Sequence, residues 1–314
     1  MTTSIEQSDL ELWKDARPRT LIARIISGLI TFGRRKPLGA FGGILLFIPI
    51  ILSTFGPGLN LGIVTVPRLT QDSEDYTLGE GVLEGPSSSH IMGRDTLGRD
   101  YFARIVEGGR LSFIIGWGVF ALSSVISTTL TIVSAYFIRS LDLILQRGIE
   151  IVGFLPELIL LVAIFSIYGA TPITLIVTLG LLRGFNSSRI LRSLVIQVRA
   201  MPYIEAAHMI GATNVRVIAR HILPQVGFLI IVTATNGLAQ AVLVESGLAI
   251  IGFGLDPNYP TLGNLLNGSR QFLRTAPYLA LFPGLVIFML LLGSRLLGDA
   301  LRDVLDPRQR GSGR

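Results

Sequence analysis

An all-α membrane protein that crosses the bilayer several times is the fold class this sequence predicts, and three observations predict it. Six apolar stretches approach or exceed the ~20 residues that a helix needs to cross a bilayer. Charged residues make up 15% of the 314-residue chain and hydrophobic residues 50%, where an ordinary soluble domain carries roughly 25% charged residues. The Lys and Arg residues also fall unevenly between alternate connections, the pattern that orients membrane helices. A net charge of +6 raises nucleic acid as a partner, and the clustering of the basic residues beside apolar spans argues against it. There are no cysteines, which excludes disulfides and thiolate metal sites, and the three histidines (His90, His208, His221) are scattered. The sequence therefore predicts no metal centre and no resident cofactor.

In order, residues 1–37 are polar and basic, with an amphipathic stretch near 20–30 that suits a membrane surface. Residues 38–55 form the first span. A secretory signal would need a shorter basic segment and a small-residue cleavage site, so the sequence reads as a retained anchor. Residues 56–110 are a long polar connection with eight acids, too long for a turn and expected to hold a small extramembrane element. Five more spans are predicted at about 111–137, 149–168, 171–190, 226–250 and 277–297. The clean apolar run of the fourth stops near Leu182, and it continues through Arg183, Asn186, Ser187 and Ser188. That polar side is expected to face protein or water, because a charge in lipid costs about 2.5–3.5 kcal/mol on insertion scales.

With the N-terminus placed in the cytoplasm, twenty Lys and Arg lie on the inner side and seven on the outer. Both termini and the connection around residue 210 are thus expected inside, and residues 56–110 outside. That inner connection, Tyr203 to Pro224, reads as helix, break and helix. Pro202 suits a first helical position, Gly211 a left-handed C-terminal cap, and Thr213 or Asn214 the next N-cap. On pattern alone it could be a hairpin joining two spans.

Its residues carry a resemblance. Glu205-Ala206-Ala207, three residues, Gly211, then Leu223-Pro224 resembles the EAA loop of bacterial ABC-importer permeases, with His221 where that family often has Ile. A second segment, His90, Gly93, Asp95, Gly98, Arg99 and Asp100, resembles the H-x-x-G-T-D-x-x-G-R-D motif of the C-type subunit of dipeptide and oligopeptide permeases, with Arg94 in place of Thr. A third, 251–276, resembles that family's stretch ending in P-x-W-G-N, with Leu262 in place of Trp, and the tail LLGDALRDVLDPR is also similar. The resemblance spans most of the chain from residue 90.

The resemblance implies a type I ABC-importer permease fold with six transmembrane helices. It divides the chain into a cytoplasmic segment 1–37, a first helix 38–55, an extracytoplasmic segment 56–110 with an interfacial helix, a five-helix core 111–297 containing the coupling loop 201–224, and a cytoplasmic tail 298–314. It implies a multi-pass protein of the bacterial cytoplasmic membrane that forms half of a peptide path. Its partners would be a homologous B-type permease, two ATP-binding subunits and an extracytoplasmic substrate-binding protein. Glu205, Ala206, Ala207, Met209, Gly211, Leu223 and Pro224 would couple to an ATPase, with Ala206, Ala207 and Met209 entering its groove.

No Gly-x4-Gly-Lys-Ser/Thr loop is present, so ATP would be hydrolysed by partners and the chain is expected not to be an enzyme. Glu157, Asn236 and Glu245, polar groups within or near spans, are candidates for the translocation path, and interhelical hydrogen bonding is the competing reading. Nickel, glutathione or another solute on the same scaffold remains open. An ion-driven secondary transporter would favour paired carboxylates and broken helices at mid-membrane, and a passive membrane anchor would leave the EAA spacing unexplained.

Overall fold

A computed structural model describes residues 32–34, 36–56, 59–60, 65–66, 81–137 and 139–305. The amphipathic stretch near 20–30, most of residues 57–80 in the extramembrane segment expected at 56–110, and the end of the tail lie outside the described residues. Apart from a two-residue antiparallel pair, β1 (Leu59–Asn60) on β2 (Thr65–Val66), the named elements are helical.

Helix α1 (Pro37–Phe55) begins with proline at its first turn and runs antiparallel in sequence order to the last helix, α10 (Tyr278–Leu305). The two approach closely because Gly42 and Gly293 have no side chains: a Cβ on Gly42 would stand 2.5 Å from that of Leu296. Small residues permit such backbone contact between membrane helices. At one end Lys36 Nζ meets Asp303 Oδ2 at 2.8 Å. Helix α2 (Tyr101–Thr131) is capped by Asp100, whose carboxylate accepts from Ala103 N, and it ends in a π-helical turn, Ile132–Phe137.

The third predicted span is not one helix. Helices α3 (Arg139–Gly153) and α4 (Glu157–Tyr168) meet at an 88° bend. Pro156 stands at the break, and its ring and missing N–H forbid a continuing helix there. Twelve residues of α4 reach ~18 Å, short of a full crossing. Helix α5 (Pro172–Arg199), capped by Thr171, has the length to cross, but its polar residues leave it outside the helices apolar enough to span. Among the described residues four helices are long and apolar enough to span, α1, α2, the run Asn214–Ile250 and α10, or five with the bent pair counted as one.

Helix α6 (Pro202–Met209) and the short α7 (Asn214–Val217) form the elbow predicted at 201–224. A second π-helical turn, Ile218–Ile222, leads from it into α8 (Leu223–Ile250). Pro224 in the first turn of α8 cannot donate and crowds the carbonyl four residues back, which favours the widened turn before it. Helix α9 (Leu262–Gly268), capped by Thr261, lies in the connection to α10. Asn264 Nδ2 closes the preceding loop by reaching the carbonyls of Leu255, Asp256 and Tyr259 at 2.9–3.2 Å.

Three buried apolar clusters hold these elements together. One joins α1, α2, α8 and α10 around Leu46, Phe113, Leu238 and Leu290. Another lies between α2, α4, α5 and α8 around Ile115, Leu161, Leu179 and Leu248. The third sits under the elbow. Outward residues such as Phe41, Ile44, Phe47 and Phe288 are exposed, as a lipid-facing surface requires.

Candidate functional site

The elbow has a buried base and an exposed tip. Ile204 and Ala207, three residues apart on one face of α6, pack with Tyr136, Val198, Val217, Ile218 and Ile222. Gly211 has φ +85, a left-handed value that only glycine adopts without strain. Its N–H meets His208 O at 2.9 Å, and Ala212 N meets Ala207 O at 3.0 Å, which closes the helix end. Thr213 caps α7 through Arg216 N at 3.4 Å. Tyr136 donates its hydroxyl to Asn214 Oδ1 at 3.1 Å. The Arg199 guanidinium lies 5.4 Å over the Tyr136 ring. His221 rests against Tyr203, with ring centroids 5.7 Å apart, and so braces the two limbs.

At the tip, Met209 and Ile210 are 89% and 87% exposed, and Glu205, Ala206 and Val215 are exposed beside them. Of the apolar face expected from Ala206, Ala207 and Met209, Ala206 and Met209 are exposed and Ala207 is buried. Ala207 shares its face with Ile204 and is buried in this chain's own core, out of reach of a groove. Ile210 and Val215 are exposed apolar residues beside Met209. Leu223 and Pro224 are exposed where α8 begins.

The second motif forms a clasp at the start of α2. Asp95 accepts from Leu97 N, Arg99 N and Arg99 Nε at 2.7–3.0 Å. His90 Nδ1 meets Asp100 Oδ2 at 2.9 Å and Nε2 meets Arg94 Nη2 at 2.8 Å. A guanidinium only donates, so Nε2 is the acceptor and the ring proton belongs on Nδ1. Arg94, which the motif resemblance left without a role, thus fixes the His90 ring and also faces Glu84 at 3.7 Å. Gly93 and Gly98 have φ of +79 and +74. Tyr278 donates to Arg94 O at 2.9 Å and Tyr101 to Leu279 O at 2.6 Å, which ties the clasp to α10. His90, Asp95, Arg99 and Asp100 are all engaged inside the clasp.

Between α2, α5, α8 and α10 lies a polar cavity of about 450 Å³, lined among others by Ser123, Ser127, Glu157, Arg183, Asn236 and Arg295. Arg183 reaches from α5 to Glu157 Oε1, at the broken span, at 3.3 Å and to Gly237 O on α8 at 3.1 Å. The Asn236 side-chain oxygen is buried with no hydrogen-bond partner among the described residues. Two of the three path candidates, Glu157 and Asn236, are thus brought together.

Glu245, the third candidate, is not among the residues that line this cavity. It is buried where α8 crosses α9: Thr261 donates to Glu245 Oε1 at 2.5 Å, and the neighbouring Ser112 accepts from Leu262 N at 3.1 Å. Gly263 leaves it room, since a Cβ there would lie 2.6 Å from Oε1. Sequence reasoning named Arg183 as an intramembrane polar group but gave it no site, because the partner that places it lies across the fold. Among the described residues no group of His, Cys, Asp and Glu could hold a metal ion.

Long apolar helices around a polar cavity, with a stiff elbow beyond them, define a polytopic membrane transport subunit. Residues 101–311 match the model of the binding-protein-dependent transport system inner membrane component, and the chain belongs to that family. It is 36% identical over 247 residues to the dipeptide transport system permease protein DppC of Alkalihalophilus pseudofirmus, covering 79% of this chain and 81% of that protein. It is 34% identical to the probable peptide ABC transporter permease protein y4tQ of Sinorhizobium fredii, with 90% and 93% covered. With the glutathione transport system permease protein GsiD of Pectobacterium atrosepticum it shares 33% identity over 76% and 79%. The chain is a transmembrane permease subunit of an ABC importer.

Proposed function

We propose that this subunit forms half of a peptide translocation path and takes its driving motion from an ATPase through the elbow at 201–224. The observation that carries the reading is the elbow's two-sidedness. Its base is locked into the bundle by Ile204, Ala207 and Tyr136, while Met209 and Ile210 stand almost wholly in the open. A rigid handle with an apolar tip is what a two-state partner needs to transmit a push.

Glu205 would pair with a basic residue of that partner. The complete importer would contain a homologous B-type permease, two ATP-binding subunits and an extracytoplasmic substrate-binding protein, in a bacterial cytoplasmic membrane with both termini inside. ATP hydrolysis belongs to the partners, as this chain has no phosphate-binding loop. The domain division at residues 37, 55, 110 and 297 is retained within this reading, with α5 supplying the fourth span and the bent α3–α4 pair as the third. The likeness to peptide permeases supports a peptide cargo, and glutathione, itself a small peptide-like carboxylate, is the alternative that the GsiD likeness favours.

Proteoliposomes holding the complete complex, with ATP inside and loaded binding protein outside, test this. Labelled dialanine should accumulate only with hydrolysable ATP. Uptake driven by a proton or sodium gradient without ATP would overturn the reading in favour of secondary transport.

A further inference from the structure

Of the three arginines that line the cavity, Arg183, Arg295 and Arg302, Arg183 has a carboxylate partner that is loosely held. Arg183 is anchored by its Nη1 bond to Gly237 O, so the guanidinium stays in place whatever happens at its other end. Its contact with Glu157 is single and 3.3 Å long. Well-made guanidinium–carboxylate pairs are shorter, ≈ 2.7–2.9 Å, and frequently bidentate. The Glu157 side chain is 38% exposed while that of Arg183 is 17% exposed, so the counter-ion stands nearer the open space than the cation does. Next to Gly237, the unpartnered Asn236 oxygen on the same cavity is an acceptor without a donor, and a buried group left that way costs free energy until a donor arrives. The space, about 450 Å³, lies in the range of small-molecule sites.

We propose that Arg183 receives a carboxylate of the cargo in transit, displacing Glu157, while Asn236 accepts from a cargo N–H. The inference rests on the reading of this cavity as part of the peptide path. It makes Arg183 a specificity-determining residue inside the membrane, separate from selection by the binding protein. Glu157 is the stand-in that keeps Arg183 paired between cargoes. An unpaired cation at that depth would be costly, and a bidentate pair would be too tight to exchange.

Saturation-transfer NMR on the complete permease–ATPase complex in nanodiscs, without binding protein, tests this with dialanine and dialaninamide as probes. Dialanine is expected to bind about tenfold more tightly than the amide, as for one charge-assisted hydrogen bond. Arg183→Gln should abolish that difference and Arg183→Lys should keep part of it. Glu157→Gln should tighten dialanine several-fold by removing the competitor, whereas a merely structural ion pair would predict weakening. Equal binding of the two probes by the wild type, or an undiminished preference in Arg183→Gln, would overturn the proposal. Should Arg183→Gln fail to assemble, Glu157→Gln decides: tighter dialanine binding supports the proposal, and unchanged or weaker binding overturns it. ATP-driven dialanine uptake without any discrimination in this assay would sink this inference alone. Absence of ATP-driven peptide uptake would remove the reading beneath it, and the inference with it.

Discussion

Replacing Met209 and Ile210 together by serine should separate the elbow's tip from its fold. Fully burying a Met or Ile side chain contributes about 1.5–3 kcal/mol. The two are 89% and 87% exposed, so almost all of that gain is still available to a partner that covers them. The pair is then worth about 3–5 kcal/mol at the interface. At 1.4 kcal/mol per decade the double substitution weakens ATPase binding by about 10²- to 4 × 10³-fold. The subunit itself should not notice, because substitutions at exposed positions change stability by about ±0.5 kcal/mol or less. Biolayer interferometry of the ATPase on nanodisc-held permease pairs reads the affinity, and thermal unfolding of the same sample reads the control. A change in affinity below threefold, with the thermal midpoint unchanged, would refute the assignment of the tip as the contact.

Ile204→Ala should give the opposite pattern: the side chain lies in the cluster under the elbow, its loss costs about 2–5 kcal/mol, and the amount of folded subunit in the membrane falls. Gly211→Val adds a side chain with nothing within 4 Å to strike, so its effect comes from the left-handed backbone alone, about 1–2 kcal/mol. ATP hydrolysed per peptide imported should rise in that variant while its membrane content stays normal; an unaltered ratio would count against the elbow geometry. Arg94→Thr, the residue usual in the resembling motif, removes the donor to His90 Nε2 and should lower stability by about 1–3 kcal/mol, seen as an earlier thermal midpoint. Glu245→Ala deprives the buried Thr261 hydroxyl of its acceptor and should lower stability more than Glu245→Gln, which still offers an oxygen; equal losses would show that the hydrogen bond contributes nothing.

Much of this was legible in the residues themselves. The Gly211 break, the Thr213 cap and the proline start at Pro202 are local chemistry, and each stands where the sequence puts it. The polar side of α5 faces a cavity because a charge excluded from lipid has few other places to go. The bend at Pro156 was missed because apolarity continues unbroken through Phe154 and Leu155 and outweighed a single proline. Ala207 was misplaced because Ala206 and Ala207 look alike in a string, and only the packing of Ile204 tells which of them turns inward. Glu245 and Glu157 likewise read as equivalent intramembrane acids. Their separation depends on Thr261 and Arg183, residues brought to them by the fold and not by adjacency.

The two π-helical turns, Ile132–Phe137 and Ile218–Ile222, both abut the cluster beneath the elbow. Such a turn holds a surplus residue, and π-bulges recur at functional positions. A surplus residue can be handed to the next turn, so that a helix rotates about its axis while its ladder of backbone bonds is kept. Under the proposed coupling role the adjustable turns lie between the elbow and the bundle, while the Arg94–Asp100 clasp is fastened to α10. A push at the elbow would then arrive in the bundle as a twist and not as a slide.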